Sequence, residues 1–485
     1  MTTAKITIKD ETNCKIENLD LSTRKKLVNK FKYEIPGVRF TPAVKLGRWD
    51  GMKAFAQLGG STYINLLPEI LPILDSEGYE IELNDERTYN TSFEFTEVTE
   101  TSYANTVWPK GHEHEGKPIM LRDYQVEAIN IFLGNTQSIQ CLATGSGKTI
   151  MTAVLSHKCE PYGRTIVVVP SKDLVTQTEA DYKNMGLDVG VFFGTRKEYD
   201  KTHTICTWQS LNSLFKNTKN GEAQIPFGEF IEGVVCVMID EAHGIKADAL
   251  LGMLTGVMAH IPIRWAVTGT IPKEEFEKRS LQVAIGNVVG TIKASDLQEK
   301  GVLSNCHVNI VQMIDHVEFK NYQDELKYLL DTDDRLKFMA GLIQTASADG
   351  NTLVLVDRVE AGKALAAAIP GAVFLSGATK SANRKEQYDS IATTNNGVTI
   401  CTYGIAAVGI NVPRIFNLFL IEPGKSFIRV IQSIGRGIRK ADDKDFVNIY
   451  DITSTCKFSK RHLTKRKEFY REAKYNFSIE KAEWQ

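Results

Sequence analysis

Three short stretches combine residue types at spacings suited to phosphoryl chemistry. The first reads ATGSGKT, residues 143–149, with an apolar run (SIQCLA) before it and a helix-forming run (TIMTAVLSHK) after it. Gly145 and Gly147 allow backbone amides to close on phosphate oxygens, Thr144 and Ser146 complete the loop, and a helix N-terminus adds its positive end. Lys148 offers a point charge to the β- and γ-phosphates of ATP, and Thr149 a hydroxyl to Mg²⁺. Leu142 stands where the fuller GxxxxGK[ST] spacing has its first glycine. The second stretch, VVCVMIDEAH, is an apolar strand that delivers Asp240, Glu241 and His243 at its carboxyl end, where open α/β sheets bind ligands. Asp240 is suited to hold Mg²⁺ through water and Glu241 to polarise an attacking water, so Thr149, Asp240 and Glu241 form the expected metal set. His243 could report the nucleotide state. The third, FIRVIQSIGRGIRK, contains Gln432, Gly435, Arg436 and Arg439. If it is helical, its two guanidinium groups share a face, and they could act as arginine fingers supplied within the chain. A glycine-rich turn or a solvated basic helix would explain one stretch, but not the ordered set.

Positioning such groups requires parallel strands that end on one side. From Leu121 onward, near-continuous runs rich in Val and Ile (SIQCLA, TIVVVP, THTICTW, VVCVMID, RWAVTG) alternate with helical stretches, the pattern of strands buried on both faces. A second series follows: NTLVLVD, AVFLSG, VTICTY, NLFLIEP, FVNIYDI. The expected fold is therefore α/β, with two tandem doubly wound parallel-sheet domains over residues 119–298 and 299–455, which the resemblance given below implies are RecA-like. Strand signals thin out between Lys273 and Leu330, which places the boundary near residue 300. Residues 1–105 read as a small α+β domain, with one helix in LSTRKKLVNKF and a second in LLPEILPILDSEGY. VWPKGHEHEGKP reads as an exposed linker, the preferred reading over a metal site at His112 and Glu115. Residues 456–485 are expected to form a basic helical extension.

Bulk properties narrow the class. The chain has 485 residues, a formal charge of −1, 42% apolar and 24% charged residues, a folding composition. It contains no apolar run of membrane-spanning length, and MTTAKITIKDETNCK lacks the core of a secretory signal. Its eight cysteines show no paired metal spacing. A cytoplasmic protein acting as a monomer, without a membrane partner, is expected. Charge is concentrated locally. Lys30, Lys32, Arg39, Lys45, Arg48 and Lys53 surround only two acids, Glu34 and Asp50, and aromatic residues lie among them. A second basic run follows Lys457. Such clusters are often only solvated faces.

The ordered motifs resemble those of superfamily 2 helicases. In LRDYQ, the resemblance implies that Gln125 reads adenine, with Arg122 or Tyr124 beside it. VVPSKDLVTQ (Pro170, Ser171, Gln177) and CTWQSL (Thr207, Gln209) resemble strand-tracking motifs, and Thr268, Gly269 and Thr270 resemble the coupling motif. CTYGIAAVGIN resembles a second-domain motif, which implies nucleic-acid contacts at Thr402 and Gly404 and ATP contacts at Gly409 and Asn411. The segment VRFTPAVKLGRWDGMKAF, with Arg39, Phe40, Pro42, Gly47, Trp49, Asp50 and Gly51 at matching positions, is similar to the N-terminal domain of the UvsW-type helicases of large tailed phages. That family implies an ATP-driven enzyme remodelling forks, D-loops, R-loops and Holliday junctions, with recombination or replication proteins as possible partners. Arg39, Lys45, Arg48 and Lys53 are the expected DNA-facing cations. Trp49 or Phe40 could stack on a base, core packing being the favoured place for Trp49. A duplex translocase subunit of a restriction or defence complex, an RNA helicase, and a nucleic-acid-binding module with a nucleotide switch remain as alternatives.

Overall fold

The computed structural model describes residues 2–87, 92–110, 112, 114–246, 248–379, 381–406 and 414–484. The chain divides into two compact units, Met1–Cys141 with Gly147–Thr291, and Leu142–Ser146 with Ile292–Gln485.

The first unit is built on a sheet whose strands run in the order Arg196–Lys197, Val189–Phe193, His203–Thr207, Arg164–Val169, Val234–Asp240, Ile263–Thr268, Gln137–Leu142 and Asn287–Ile292. Its central strands pair in parallel. Ile166 to Val169 and Val234 to Ile239 are all buried, which is why these strands read as unbroken Val/Ile runs rather than alternating ones. Helices such as Lys148–Cys159 and Lys172–Asn184 connect the strands.

The N-terminal domain belongs to this unit. Its sheet runs Ser61–Tyr63, Asn13–Glu17, Thr2–Ile8, Tyr79–Asp85, with helices Leu21–Lys30 and Leu67–Ser76 packed on it. Several contacts join it to the larger sheet. Glu11 N–H donates to the Ala259 carbonyl at 3.0 Å, Arg279 pairs with Glu69, and the rings of Phe55 and Phe276 lie 5.8 Å apart.

The second unit is built on a sheet ordered Val373–Leu375, Val398–Thr402, Thr352–Val356, Asn417–Ile421, Phe446–Ser454, Asn305–Met313, Asn476–Ala482. Residues 456–485, expected as an extension, are fastened into this unit. Helix Lys457–Glu472 begins on Glu325, whose carboxylate accepts the Phe458 and Ser459 amides at 3.0 and 2.6 Å. Arg466, fully buried, makes two contacts of 2.8 and 2.9 Å with Asp451, and strand Asn476–Ala482 then joins the sheet beside Asn305–Met313.

The stretch expected as a linker doubles back on itself. Trp108 N–H donates to the Lys117 carbonyl at 3.0 Å, and its ring stacks on His112 at 4.0 Å. Gly111 and Glu113 lie outside the described residues. Among the described residues no helix is long and apolar enough to cross a membrane, and no cluster of His, Cys, Asp and Glu has the arrangement of a metal site.

Candidate nucleotide and nucleic-acid site

The glycine loop bridges strand Gln137–Leu142 and helix Lys148–Cys159. Gly145 and Gly147 adopt φ of 86° and 83°, a left-handed conformation that costs glycine nothing and other residues about 1–2 kcal/mol. Gly147 is the helix N-cap and has no side chain to cap the first turn, so the opening amides of that helix suit an anion. A Cβ at Gly147 would fall 2.4 Å from Gln125 Nε2, so a larger residue there would displace that side-chain amide. Gln125 itself is buried, and its Oε1 accepts the Arg122 amide at 3.0 Å. Arg122 Nη1 donates to the Tyr124 hydroxyl at 3.0 Å. All three residues expected at the adenine thus meet at the start of one helix, with Gln125 against the phosphate loop.

Strand Val234–Asp240 ends beside that loop. Glu241 has φ of 55°, uncommon for a non-glycine residue and typical of strained functional positions. Its Oε1 lies 2.9 Å from Lys148 Nζ, and its Oε2 lies 3.4 Å from His243 Nδ1. The Gly269 amide donates to Oε2 at 3.4 Å, and His243 Nδ1 is 3.3 Å from Thr268 Oγ1. Thr268 Oγ1 donates in turn to the Thr270 carbonyl at 2.9 Å. The DEAH acids and the Thr-Gly-Thr turn therefore form one hydrogen-bonded group.

The two acids are electrostatically unlike. Burial pushes Asp240 up to about 6, with the Glu241 charge adding to the rise and Lys148 opposing it. Burial also acts to raise Glu241, but Lys148 and then His243 outweigh it and hold that carboxyl well below the usual range. Glu241 is thus firmly ionised. Thr149, Asp240 and Glu241 present hard oxygens, the donor type Mg²⁺ takes.

A groove of about 770 Å³ opens in the same unit. Pro170, Ser171, Thr207 and Gln209 line it, together with Lys172 and Lys197. The placement follows from register. Thr207 pairs with Val169 across adjacent parallel strands, so both chain reversals emerge at one sheet edge. Ser171 Oγ accepts the Leu174 amide and Thr207 Oγ1 the Ser210 amide, each at 3.3 Å. Each residue is the N-cap of the helix that follows, so two helix starts open into one groove. Gln177 lies half-buried on helix Lys172–Asn184 and is not part of the lining.

Residues 118–273 match the family model described as "Type III restriction enzyme, res subunit". Over 471 residues the chain is 24% identical to the ATP-dependent DNA helicase uvsW of Enterobacteria phage T4, covering 92% of this chain and 90% of that one. The chain belongs to the superfamily 2 helicases. Among solved structures, it resembles the ATP-dependent Type ISP restriction-modification enzyme LlaBIII bound to DNA. That likeness has a TM-score of 0.56 and 13% identity, over 86% of this chain and 34% of that one. It also resembles Saccharomyces cerevisiae Dbp5 bound to RNA and ADP BeF3, with a TM-score of 0.52 and 14% identity, over 76% and 91% of the two chains. These likenesses show the fold: two RecA-like parallel-sheet domains, here with a small N-terminal α+β region.

In the second unit of this helicase, Gln432 is buried on helix Phe427–Gly437. The helix ends at Gly437 with Ile438 as its C-cap, so Arg439 lies beyond it, bridged to Leu303. The buried Lys444 sets that end: its ammonium donates to the Gly437 and Arg439 carbonyls at 2.7 and 2.6 Å. Thr402 closes strand Val398–Thr402, and Gly404 is exposed in the turn of helix after it. Gly409 and Asn411 lie outside the described residues.

The N-terminal cations are not alike. Arg39 is held by Glu34 through contacts of 2.5 and 2.7 Å, and Lys53 Nζ lies 5.9 Å from the Phe276 ring centroid. Lys45 and Arg48 are exposed. Trp49, expected in the core, is 38% exposed. Val38 and Val44 fill the space under the turn at Gly51, while the indole N–H donates to the Met52 carbonyl at 3.1 Å. Sequence reading did not single out Lys197, whose ammonium sits 4.2 Å over the Phe192 ring in the groove. Only its position in a hairpin of strands Val189–Phe193 and Arg196–Lys197 places it there.

Proposed function

We propose that this helicase hydrolyses ATP with Mg²⁺ and spends the energy remodelling branched DNA: forks, D-loops, R-loops and Holliday junctions, in recombination-linked replication and repair. The groove carries the reading. It gathers Pro170, Ser171, Thr207 and Gln209 around two helix starts, and such groups hold phosphates without reading bases, as a sequence-indifferent motor requires. The relatedness to a protein named as a DNA helicase favours DNA.

The chemistry follows from the Lys148–Glu241 pair. Nucleotide phosphates draw Lys148 away from Glu241, which leaves that carboxylate charged and able to orient the attacking water. Mg²⁺, when bound, neutralises charge on the β- and γ-phosphates; Thr149 and Asp240 are the residues that would hold it. The coupling through His243 and Thr268 passes the change at Glu241 to the Thr-Gly-Thr turn. Gln432, Arg436 and Arg439 are proposed as ligands of the γ-phosphate in the transition state.

The test compares a Holliday junction, a fork, an R-loop, linear duplex DNA and duplex RNA as unwinding substrates, with and without ATP, with Lys148→Ala as control. Opening of the branched DNA substrates, lost in the variant, is expected. Opening of RNA duplex alone would overturn the assignment. Movement along linear duplex without strand separation would point to a duplex translocase, the reading that the restriction-subunit match favours.

A further inference from the structure

Residues 37–50 of the N-terminal domain combine a rigid frame with an apolar tip. The frame is dense. Ile35 N–H donates to the Gly51 carbonyl at 3.0 Å, Thr41 Oγ1 to the Val38 carbonyl at 2.7 Å, and the Arg48 amide to the Ala43 carbonyl at 2.9 Å. Lys32 pairs with Asp50 at 2.6 Å, and Arg39 forks onto Glu34. Gly51, at φ of 75°, sits so close to Val38 that a Cβ would lie 2.7 Å from its Cγ1. The loop is thereby locked to the hairpin of strands Lys32–Glu34 and Met52–Ala54.

The loop nevertheless leaves Phe40 79% exposed and Leu46 63% exposed. A mobile loop would fold such side chains against the body of the protein, since burying apolar surface is favourable. This loop is held where it cannot. Singly exposed apolar residues are ordinary and a contiguous patch marks an interaction site; Phe40, Leu46 and the 38% exposed Trp49 are the large apolar side chains this short loop offers to one. The charge around the tip selects the partner. Arg39 and Lys53 are turned to protein groups, whereas the exposed Lys45 and Arg48 bracket Leu46.

We propose that residues 37–50 are a strand-separating wedge, in which Phe40 and Leu46 enter the base stack at the branch point while Lys45 and Arg48 hold the flanking phosphates. Phe and Leu are side chains that unstack base steps when driven into a duplex, and phosphate-held cations fix their register. Because these hydrogen bonds already restrain the loop, insertion costs little further conformational freedom. The wedge rests on the branched-DNA reading above and assigns that domain its mechanical part.

The test uses the full chain and a fork with 2-aminopurine in the first base pair at the junction. Binding of the wild-type protein with a non-hydrolysable ATP analogue should raise the 2-aminopurine fluorescence. The double variant Phe40→Ala/Leu46→Ala should remove that rise and cut base pairs opened per ATP hydrolysed by about tenfold. Leu58→Ala, an exposed leucine outside the loop at 50% exposure, should behave as wild type. If the double variant keeps both the fluorescence change and the coupling ratio, the wedge is wrong and the apolar tip belongs to a protein partner. If wild type opens forks without a fluorescence change, the wedge fails and the branched-DNA reading stands. If wild type opens no branched DNA, the reading fails and takes the wedge with it.

Discussion

Lys148 and Glu241 compensate each other in a nearly dry site, with side-chain exposures of 13% and 10%. Replacing Lys148 by Met removes the cation 2.9 Å from the Glu241 carboxylate, whose other contacts include His243 Nδ1 and the Gly269 amide, each at 3.4 Å. Breaking a buried pair in this way costs about 3–5 kcal/mol if the remaining charge persists. The charge need not persist. A carboxyl of ordinary value 4.5 can take up a proton at pH 7 for ~1.4 kcal/mol per pH unit, which caps the penalty at about 3 kcal/mol. The sign of the pH dependence follows. In the variant the folded-state value of Glu241 is raised, so the folded form holds more protons than the unfolded form and gains stability as pH falls. In the wild type that value is depressed, and the stability it contributes is present above the usual carboxylate range and lost toward acid. The gap between the two proteins should therefore shrink from about 3 kcal/mol at pH 7 to about 1 kcal/mol or less near pH 5. The assay is urea unfolding read by hydrogen exchange in strands Val234–Asp240 and Ile263–Thr268, which report this unit alone. Lys148→Met, Glu241→Gln and the double variant complete a cycle, with a coupling of about 2–3 kcal/mol expected. A coupling below ~0.5 kcal/mol, or a gap that widens toward acid, would refute the reasoning. The same pair sets nucleotide affinity: Glu241→Gln should bind ATP about tenfold more tightly, since the phosphates no longer compete for Lys148, while turnover falls at least ~100-fold.

Further outcomes follow from other parts of the molecule. Arg466→Met should destabilise the second unit by about 3–5 kcal/mol, because it strands the fully buried Asp451 carboxylate; urea unfolding of the C-terminal strands measures it. Ser171→Ala and Thr207→Ala should each cost about 1 kcal/mol in helix-start stability and weaken single-strand affinity several-fold without altering ATP affinity, as read by fluorescence anisotropy. Lys45→Ala and Arg48→Ala should each lower the slope of log K against log salt for duplex binding by about 1. Gly51→Ala, placed at φ of 75° against Val38, should cost about 1–3 kcal/mol and raise amide exchange across residues 37–50.

The parts of this helicase that were legible in its sequence are those whose physics is local or periodic. A strand buried on both faces must be apolar throughout, so Arg164–Val169 and Val234–Asp240 declare themselves as Val/Ile runs, and a phosphate loop declares itself by glycines at fixed offsets. Strands with mixed burial do not. Asn305–Met313 is half-exposed at its start and buried at its end, and Asn476–Ala482 is largely exposed at the sheet edge, so neither has a clear period. Cations are harder still, because charge states a possibility and only the partner decides it. In the run after Lys457 the composition is that of a solvated helix, yet Arg466 is buried on Asp451, an acid 15 residues earlier on a neighbouring strand. In the N-terminal loop, Arg39 is held by Glu34 while Lys45 and Arg48 stay exposed, a division that no count of charges makes. The same argument explains the arginines of the second unit. Helical spacing put Arg436 and Arg439 on one face, but a buried lysine from outside the motif, Lys444, takes the carbonyls of Gly437 and Arg439 where the helix ends. The end of a helix thus involves a residue that pattern reading has no reason to include.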